Sequence, residues 1–76
     1  MKTYLRSGDD PVESAQPFHT KAAAIRHFQR DAEELANYGQ RHEASLHIAD
    51  HLDQVVEYPD FVLSLGPRGG VRVEKV

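Results

Sequence analysis

Apolar residues recur every three or four positions between residues 21 and 38, and this period predicts the longest helix of the chain. Thr20 can cap the first turn, because its hydroxyl can accept a hydrogen bond from an exposed amide there. Gly39 suits the left-handed conformation in which many helices end. The predicted apolar stripe consists of Ala22, Ile25, Phe28 or Gln29, Ala32, Leu35 and Ala36.

Strict alternation of apolar and polar residues predicts strands on both sides of this helix. Residues 2–7 alternate, and residues 43–49 do so with one wholly apolar row. Residues 61–65 form a third alternating segment, and Val71 and Val73 continue a fourth. Each predicted strand therefore offers one apolar face to a core.

Two connecting segments complete the order of elements. Asp50 can cap a short helical turn over residues 51–56. Residues 12–19 are predicted to be irregular, because Pro17 disfavours helical backbone angles at Gln16. The order is therefore strand, helix, strand, short helical turn, strand, strand, with a C-terminal hairpin.

This order predicts a single α+β domain over residues 1–76, with the long helix packed on one face of a three- to four-stranded sheet. If the first two strands are neighbours, a right-handed parallel crossover is expected between them; if they are not, the sheet can be wholly antiparallel. No second helix is predicted for the other face, which is expected to be half-polar and open for contact. That open face is predicted to carry Tyr4, Arg6, Ser45, His47, Val62, Ser64 and Arg72.

The segment Gly66-Pro67-Arg68-Gly69-Gly70 joins the last two strands and is rich in turn-forming residues. Phosphate-binding glycine loops lead into a helix, whereas this segment leads into a strand. A plain hairpin turn is one interpretation. The other is a tip that contacts a partner through Arg68, since arginine is enriched at interface hot spots.

Composition narrows the class of protein. Nine basic and twelve acidic residues give a formal net charge of -3, which is too acidic for a non-specific nucleic-acid binder and not acidic enough for a mimic of DNA. The absence of cysteine excludes disulfides and thiolate chemistry and fits a reducing cytoplasm. The N-terminal residues show no signal-peptide pattern, and no apolar run is long enough to predict a membrane span. We therefore expect a cytoplasmic protein.

The titratable residues form no pattern typical of a catalytic or metal site. Glu43, Ser45 and His47 share one strand face, but residues two apart on a strand project in parallel rather than converge. Zinc requires three or four convergent ligands, and the histidines lack a ligand-like spacing. The sequence predicts no enzyme, no metal and no cofactor, and it favours solvated or surface-packed histidines at His19, His27, His42, His47 and His51.

Three segments carry a resemblance to known proteins: Tyr38-Gly39-Gln40-Arg41, Ala44 to Ala49, and Glu57 to Gly70. Together they resemble small uncharacterised proteins carried on plasmids and integrative elements of proteobacteria. The resemblance covers roughly the second half of the chain and brings no catalytic signature. It implies a mobile genetic element, on which small cysteine-free proteins often bind and block host defence machinery, as anti-CRISPR and anti-restriction proteins do.

These observations predict a small non-enzymatic binding protein of a mobile element, an inhibitor of host defence that covers a functional surface of a larger host protein or nucleoprotein complex. One alternative is a nucleic-acid-binding accessory or regulatory module that uses the open sheet face. Another is a homo-oligomeric structural protein, in its simplest form a homodimer, which hides that face. No membrane partner is predicted. The predicted partner-binding residues are Arg68, Arg72, Tyr4 and Arg6, followed by Asp50, Asp53 and Asp60.

Overall fold

A five-stranded antiparallel sheet and a single α-helix form the framework of the computed structural model, which describes all 76 residues. The strands are ordered β2-β1-β3-β4-β5 across the sheet. The predicted α+β class is confirmed, with five strands in place of three or four. The elements are β1 (Lys2–Ser7), β2 (Gln16–Phe18), α1 (Lys21–Asn37), β3 (Glu43–Ala49), β4 (Phe61–Leu65) and β5 (Val71–Lys75), with short 3-10 turns at Val12–Ser14 and Leu52–Gln54.

The additional strand is β2, which lies within the segment predicted to be irregular. It pairs antiparallel with β1, and Pro17 stands opposite Tyr4. A proline lacks the amide hydrogen that an inner strand needs, but β2 is an edge strand with only one neighbour. The prediction that residues 16–18 are irregular is wrong, because a proline that disfavours helical angles before it is still compatible with an edge strand.

The undetected strand also changes the topology. β1 and β3 are neighbours, yet they are antiparallel, so the expected parallel crossover between them is absent. β2 and β3 both run antiparallel to β1 and hence parallel to each other. α1 connects these two parallel strands, and β1 lies between them in the sheet.

The helix begins and ends where its sequence predicts. The Thr20 hydroxyl accepts a hydrogen bond from the Ala23 amide at 3.1 Å. At the other end Gly39 adopts a φ of 74°, and the amides of Gly39 and Gln40 donate to the last carbonyls of the helix, at Ala36 and Leu35. This pattern of bonds is a Schellman motif, which terminates the helix.

The main core lies between α1 and the sheet. The buried helical stripe runs through Ala24, Phe28 and Ala32, whereas Ala22 and Ala36 of the predicted stripe are exposed. Small alanines on both sides of Phe28 let the helix approach the strands closely, and Phe28 is fully buried. The core consists of Leu5, Ala24, Phe28, Ala32, Ala44, Leu46 and Leu63.

A second, smaller cluster lies on the opposite face of the sheet. It contains Tyr4, Ala15, Ala49 and Val55, with Val12 packed against it. Two covering segments, residues 10–15 and 50–60, supply the members that are not on strands. The helix-free face was expected to be open, and this prediction is wrong for the half of the face around Tyr4 and His47. These two side chains are only 4% and 2% exposed.

We expect Phe28→Ala to lower the free energy of unfolding by about 3–5 kcal/mol, because it removes a fully buried ring and leaves a cavity between α1 and the sheet. Urea denaturation followed by circular dichroism measures the change. Arg30→Ala, on the exposed side of the same helix, is the matched control and is expected to stay within about 0.5 kcal/mol of the parent. Equal losses in both variants would show that the interior position of Phe28 is wrong.

Candidate interaction surface

The covering segments divide the helix-free face of the sheet into a sealed half and an accessible half. Cross-strand partners place Arg6, Ser45, Val62 and Glu74 in one row across four strands. A second row contains Glu43, Ser64 and Arg72. We call the accessible members the uncovered patch: Ser45, Val62, Ser64, Glu43, Arg72 and Glu74, of which the first three are half-buried and the last three exposed.

The uncovered patch is polar with one apolar centre. Val62 stands between Ser45 on β3 and Glu74 on β5. Arg72 and Glu74 lie two residues apart on the same strand face, and Arg72 Nε is 3.9 Å from Glu74 Oε1. Because both side chains are about two-thirds exposed, this contact adds little stability and both charges remain available to a partner.

The β4–β5 hairpin tip adjoins this patch. The Gly66 amide donates to the Gly70 carbonyl, the Gly69 amide donates to the Gly66 carbonyl at 3.0 Å, and Gly69 adopts a φ of 84°. These features confirm the predicted hairpin loop. Arg68 is exposed at its tip, next to a groove of about 420 Å³ that lies between the end of α1 and the loop and includes Arg41 and Pro67 in its wall.

Tyr4 and Arg6 do not have the positions expected of partner-binding residues. Tyr4 is buried beneath the covering segments. The half-buried Arg6 donates from Nη1 to the Asp10 carbonyl at 3.3 Å and from Nη2 to the Glu57 carbonyl at 3.1 Å. One guanidinium thus ties both covering segments to β1, which is a structural role that sequence alone does not reveal.

The three acidic candidates lie at the end of the sheet opposite the hairpin tip. Asp50 follows the last residue of β3, whereas the hairpin loop lies beyond the first residue of that strand. Asp50 Oδ1 is 3.5 Å from the N-terminal amino group. Asp60 Oδ2 accepts a hydrogen bond from the Ile48 amide at 2.7 Å, so this carboxylate extends the pairing of β3 with β4.

The predicted residues therefore do not form one site. Arg68 and Arg72 belong to the hairpin and β5, where they are exposed. Asp53, in the second 3-10 turn, is exposed at the far end, close along the chain to Asp50. Sequence reasoning did not select Glu74 as a contact residue, although its alternation with Arg72 along the last strand is a visible signal.

His47 is the one histidine that the fold buries, which corrects the expectation of a solvated or surface-packed side chain. Neither of its ring nitrogens has a hydrogen-bond partner of good geometry. Burial lowers the pKa of His47 below its ordinary value of 6.5, and the positive charge of Arg6 acts in the same direction. The carboxylate of Asp60 and the main chain of Tyr58 act in the opposite direction but do not prevail.

The remaining titratable side chains do not assemble into a cation site: no group of three or more histidine, aspartate or glutamate residues converges in the geometry that a metal ion needs. α1 lacks the length and apolar character to cross a membrane, and the structure contains no other α-helix. Comparison of the chain with protein-family models, with curated proteins and with solved structures finds no match. The resemblance to plasmid-borne proteins stays a prediction.

We expect the free energy of unfolding to fall as the pH is lowered through and below 6.5, because the unfolded chain then binds a proton at His47 that the folded chain rejects. The loss is at most about 1.4 kcal/mol per pH unit and levels off below the lowered folded-state pKa. Urea denaturation at a series of pH values measures it. His47→Phe is expected to remove this component, and His51→Gln, at an exposed position in the adjacent loop, is expected to retain it. Identical slopes in the parent and His47→Phe would contradict this assignment.

We also expect Arg6→Met to lower the free energy of unfolding by about 1–3 kcal/mol, because it leaves the Asp10 and Glu57 carbonyls without their donor. Amide hydrogen exchange should accelerate over the covering segments and not in α1. Arg41→Met, at an exposed position, is the control. Unchanged exchange in residues 50–60 would show that Arg6 does not hold them.

Proposed function

We propose that this chain is a small non-enzymatic binding protein that acts by protein–protein contact, with the uncovered patch and the hairpin tip as its contact surface. The observation that supports this most directly is the accessible half of an otherwise covered sheet face, where Val62 is surrounded by Ser45, Ser64, Arg72 and Glu74. An apolar centre with a polar, charged rim is the usual composition of a protein interface. Strand pairing holds the backbone that carries these side chains in place, which lowers the entropy lost on binding.

Protein is a better match than nucleic acid for this surface. Open sheets that bind single strands stack the bases on exposed aromatic rings. Among the strand residues of the helix-free face the one tyrosine or phenylalanine is Tyr4, and the covering segments bury it. Tyr58 is 81% exposed, but it belongs to the covering segment 50–60 and not to the uncovered patch. Arg72 also has Glu74 beside it, so the patch is not the uniformly basic surface that phosphate groups require.

The arrangement of titratable groups supports a role without catalysis. His47 is the side chain whose pKa burial lowers, and it is 2% exposed. A general base must come within hydrogen-bond reach of a substrate proton, and the covering segments block that approach. Ser45 is two residues away on the same strand face and projects parallel to His47, at a Cα separation of about 6.6 Å.

The finer proposal is that the partner is a larger host protein or nucleoprotein complex of the defence machinery, and that this protein belongs to a cytoplasmic mobile-element system of the anti-CRISPR or anti-restriction kind. Support for this part comes from the sequence resemblance and its implied genetic context alone. The contact surface proposed above does not depend on it.

The proposal predicts that Arg68→Glu and Val62→Lys each abolish capture of a host protein that the parent chain retains saturably. Arg26→Glu, on the exposed side of α1, makes the same change of charge as Arg68→Glu and is expected to leave capture intact. Quantitative affinity purification with the four tagged chains measures this. In cells that restrict a phage by CRISPR or restriction enzymes, the parent and Arg26→Glu should raise phage plating, whereas Arg68→Glu and Val62→Lys should not.

Capture that survives both Arg68→Glu and Val62→Lys would contradict the proposed surface. Absence of any saturable partner at about micromolar concentration would contradict the function. Binding to mixed oligonucleotides that collapses with added salt would favour the nucleic-acid alternative. Specific capture without any change in phage plating would retain the binding function and overturn the defence-inhibitor role.

A further inference from the structure

The outer edge of β5 is free, and its hydrogen-bonding pattern can be assigned residue by residue. The Gly66 amide donates to the Gly70 carbonyl, and the Val76 amide donates to the Asp60 carbonyl. Because hydrogen-bonded pairs alternate along an antiparallel ladder, Arg72 and Glu74 direct their main-chain groups towards β4. The main-chain groups turned towards the free edge are therefore those of Val71, Val73 and Lys75.

The sequence of β5 is complementary to itself when two copies run antiparallel about Val73. In that register Val73 stands opposite its own equivalent, and Val71 stands opposite Lys75 of the second copy. All of these residues present free main-chain groups, so each pair can exchange two hydrogen bonds. Arg72 then stands opposite the second copy's Glu74 in a non-hydrogen-bonded pair, where side chains approach most closely, at a Cα separation of about 4.5 Å.

The side chains also distinguish this register from its neighbours. A shift of two residues in one direction places Arg72 opposite its own equivalent, and a shift in the other direction does the same for Glu74. Like charges in directly opposed pairs are destabilising, so only the register about Val73 pairs opposite charges. Val73, which is 39% exposed on the helix side of the sheet, would lie against its equivalent and lose solvent contact.

The other edge of the sheet lacks these properties. β2 has only three residues and contains Pro17, which offers no amide hydrogen to an added strand. β5 has five residues, no proline and no bulge in its register with β4. One edge of the sheet is thus blocked against pairing, and the other is matched to a second copy of itself.

We propose that β5 pairs antiparallel with β5 of a second copy, centred on Val73, to form a two-fold symmetric dimer with a continuous ten-stranded sheet. This inference does not rest on the proposed function. The occupant of the edge is a second copy because the alternation of Arg72 and Glu74 is self-complementary. The two uncovered patches then join across the two-fold axis into one surface, since Arg72 and Glu74 belong to both the patch and the strand edge.

Because the contact is made by two strand edges of five residues each, we expect an interface smaller than the standard size and association in the micromolar range rather than the nanomolar range. Sedimentation equilibrium from about 1 to 500 micromolar protein covers that range. The parent chain should shift from the mass of one chain to that of two chains. Circular dichroism of every variant shows whether it is folded.

A charge exchange tests the register. Arg72→Glu and Glu74→Arg each place like charges opposite one another, and each is expected to raise the dimer dissociation constant at least about tenfold. The combined variant Arg72→Glu with Glu74→Arg restores opposite charges and is expected to return the dissociation constant to within about threefold of the parent. Arg26→Glu changes the net charge by the same amount as Arg72→Glu, lies on α1 and should leave association unchanged.

A backbone substitution tests the edge without using charge. Val73→Pro removes an amide hydrogen that faces the free edge and not β4, so it should block dimer formation while the folded monomer persists. A parent chain that stays monomeric at about 500 micromolar would overturn the proposal, since that concentration lies well above the expected range. Equal association in the parent and both single charge variants, or failure of the combined variant to recover association while it remains folded, would overturn the assigned register.

Discussion

One helix must cover a five-stranded sheet, and this shortage of helical surface determines the rest of the structure. A helix with its side chains is about 10 Å across, whereas five strands spaced about 4.8 Å apart span about 19 Å between the outermost backbones. α1 packs mainly against β1 to β4, and its buried contact line is the stripe Ala24, Phe28 and Ala32. β5 is consequently the least covered strand, and Val73 is left partly exposed beside the buried Leu63.

The same shortage explains how the other face of the sheet is covered. With no second helix, apolar side chains near Tyr4 can leave water only beneath irregular segments, and residues 10–15 and 50–60 provide that cover. Irregular segments have main-chain carbonyls without partners in the sheet, and Arg6 satisfies two of them. The cost of this arrangement is a buried imidazole at His47 whose ring nitrogens lack a hydrogen-bond partner of good geometry, next to the positive charge of Arg6, whose buried Nε also lacks a partner. The acid sensitivity that we predict and the sealed half of the sheet therefore have the same origin.

The sequence was a good guide to elements that have their own periodicity. Thr20, Gly39 and the apolar spacing between them fix the helix, and alternation locates four of the five strands together with the final hairpin. The sequence was a poor guide to the features that depend on contacts between distant residues. β2 is three residues long and contains Pro17, so it is too short to alternate visibly and carries a residue typical of breaks. The cover over Tyr4 was missed because Ala15 and Val55 are single apolar residues in segments without a period. The members of the helix-free face were nevertheless assigned correctly, since alternation determines which side a residue takes but not whether that side is covered.

Arg6 and Arg72 lie on the same face of the sheet but have different roles, because Arg72 lies on an exposed edge strand. Arg6 is in an inner strand, and its two Nη atoms donate to main-chain carbonyls of its own chain, so the fold itself uses this guanidinium. Arg72 has only the distant carboxylate of Glu74 as a partner within its own chain. An uncovered edge strand exposes every protein that has one to unwanted pairing, and charges on the edge are a common defence. In the registers shifted by two residues, Arg72 or Glu74 stands opposite its own equivalent, and the like charges repel. In the register about Val73, Arg72 stands opposite Glu74 of the second copy, and the charges attract. The alternation of Arg72 and Glu74 therefore makes pairing at this edge selective. It directs β5, the strand that the helix covers least, towards one antiparallel register.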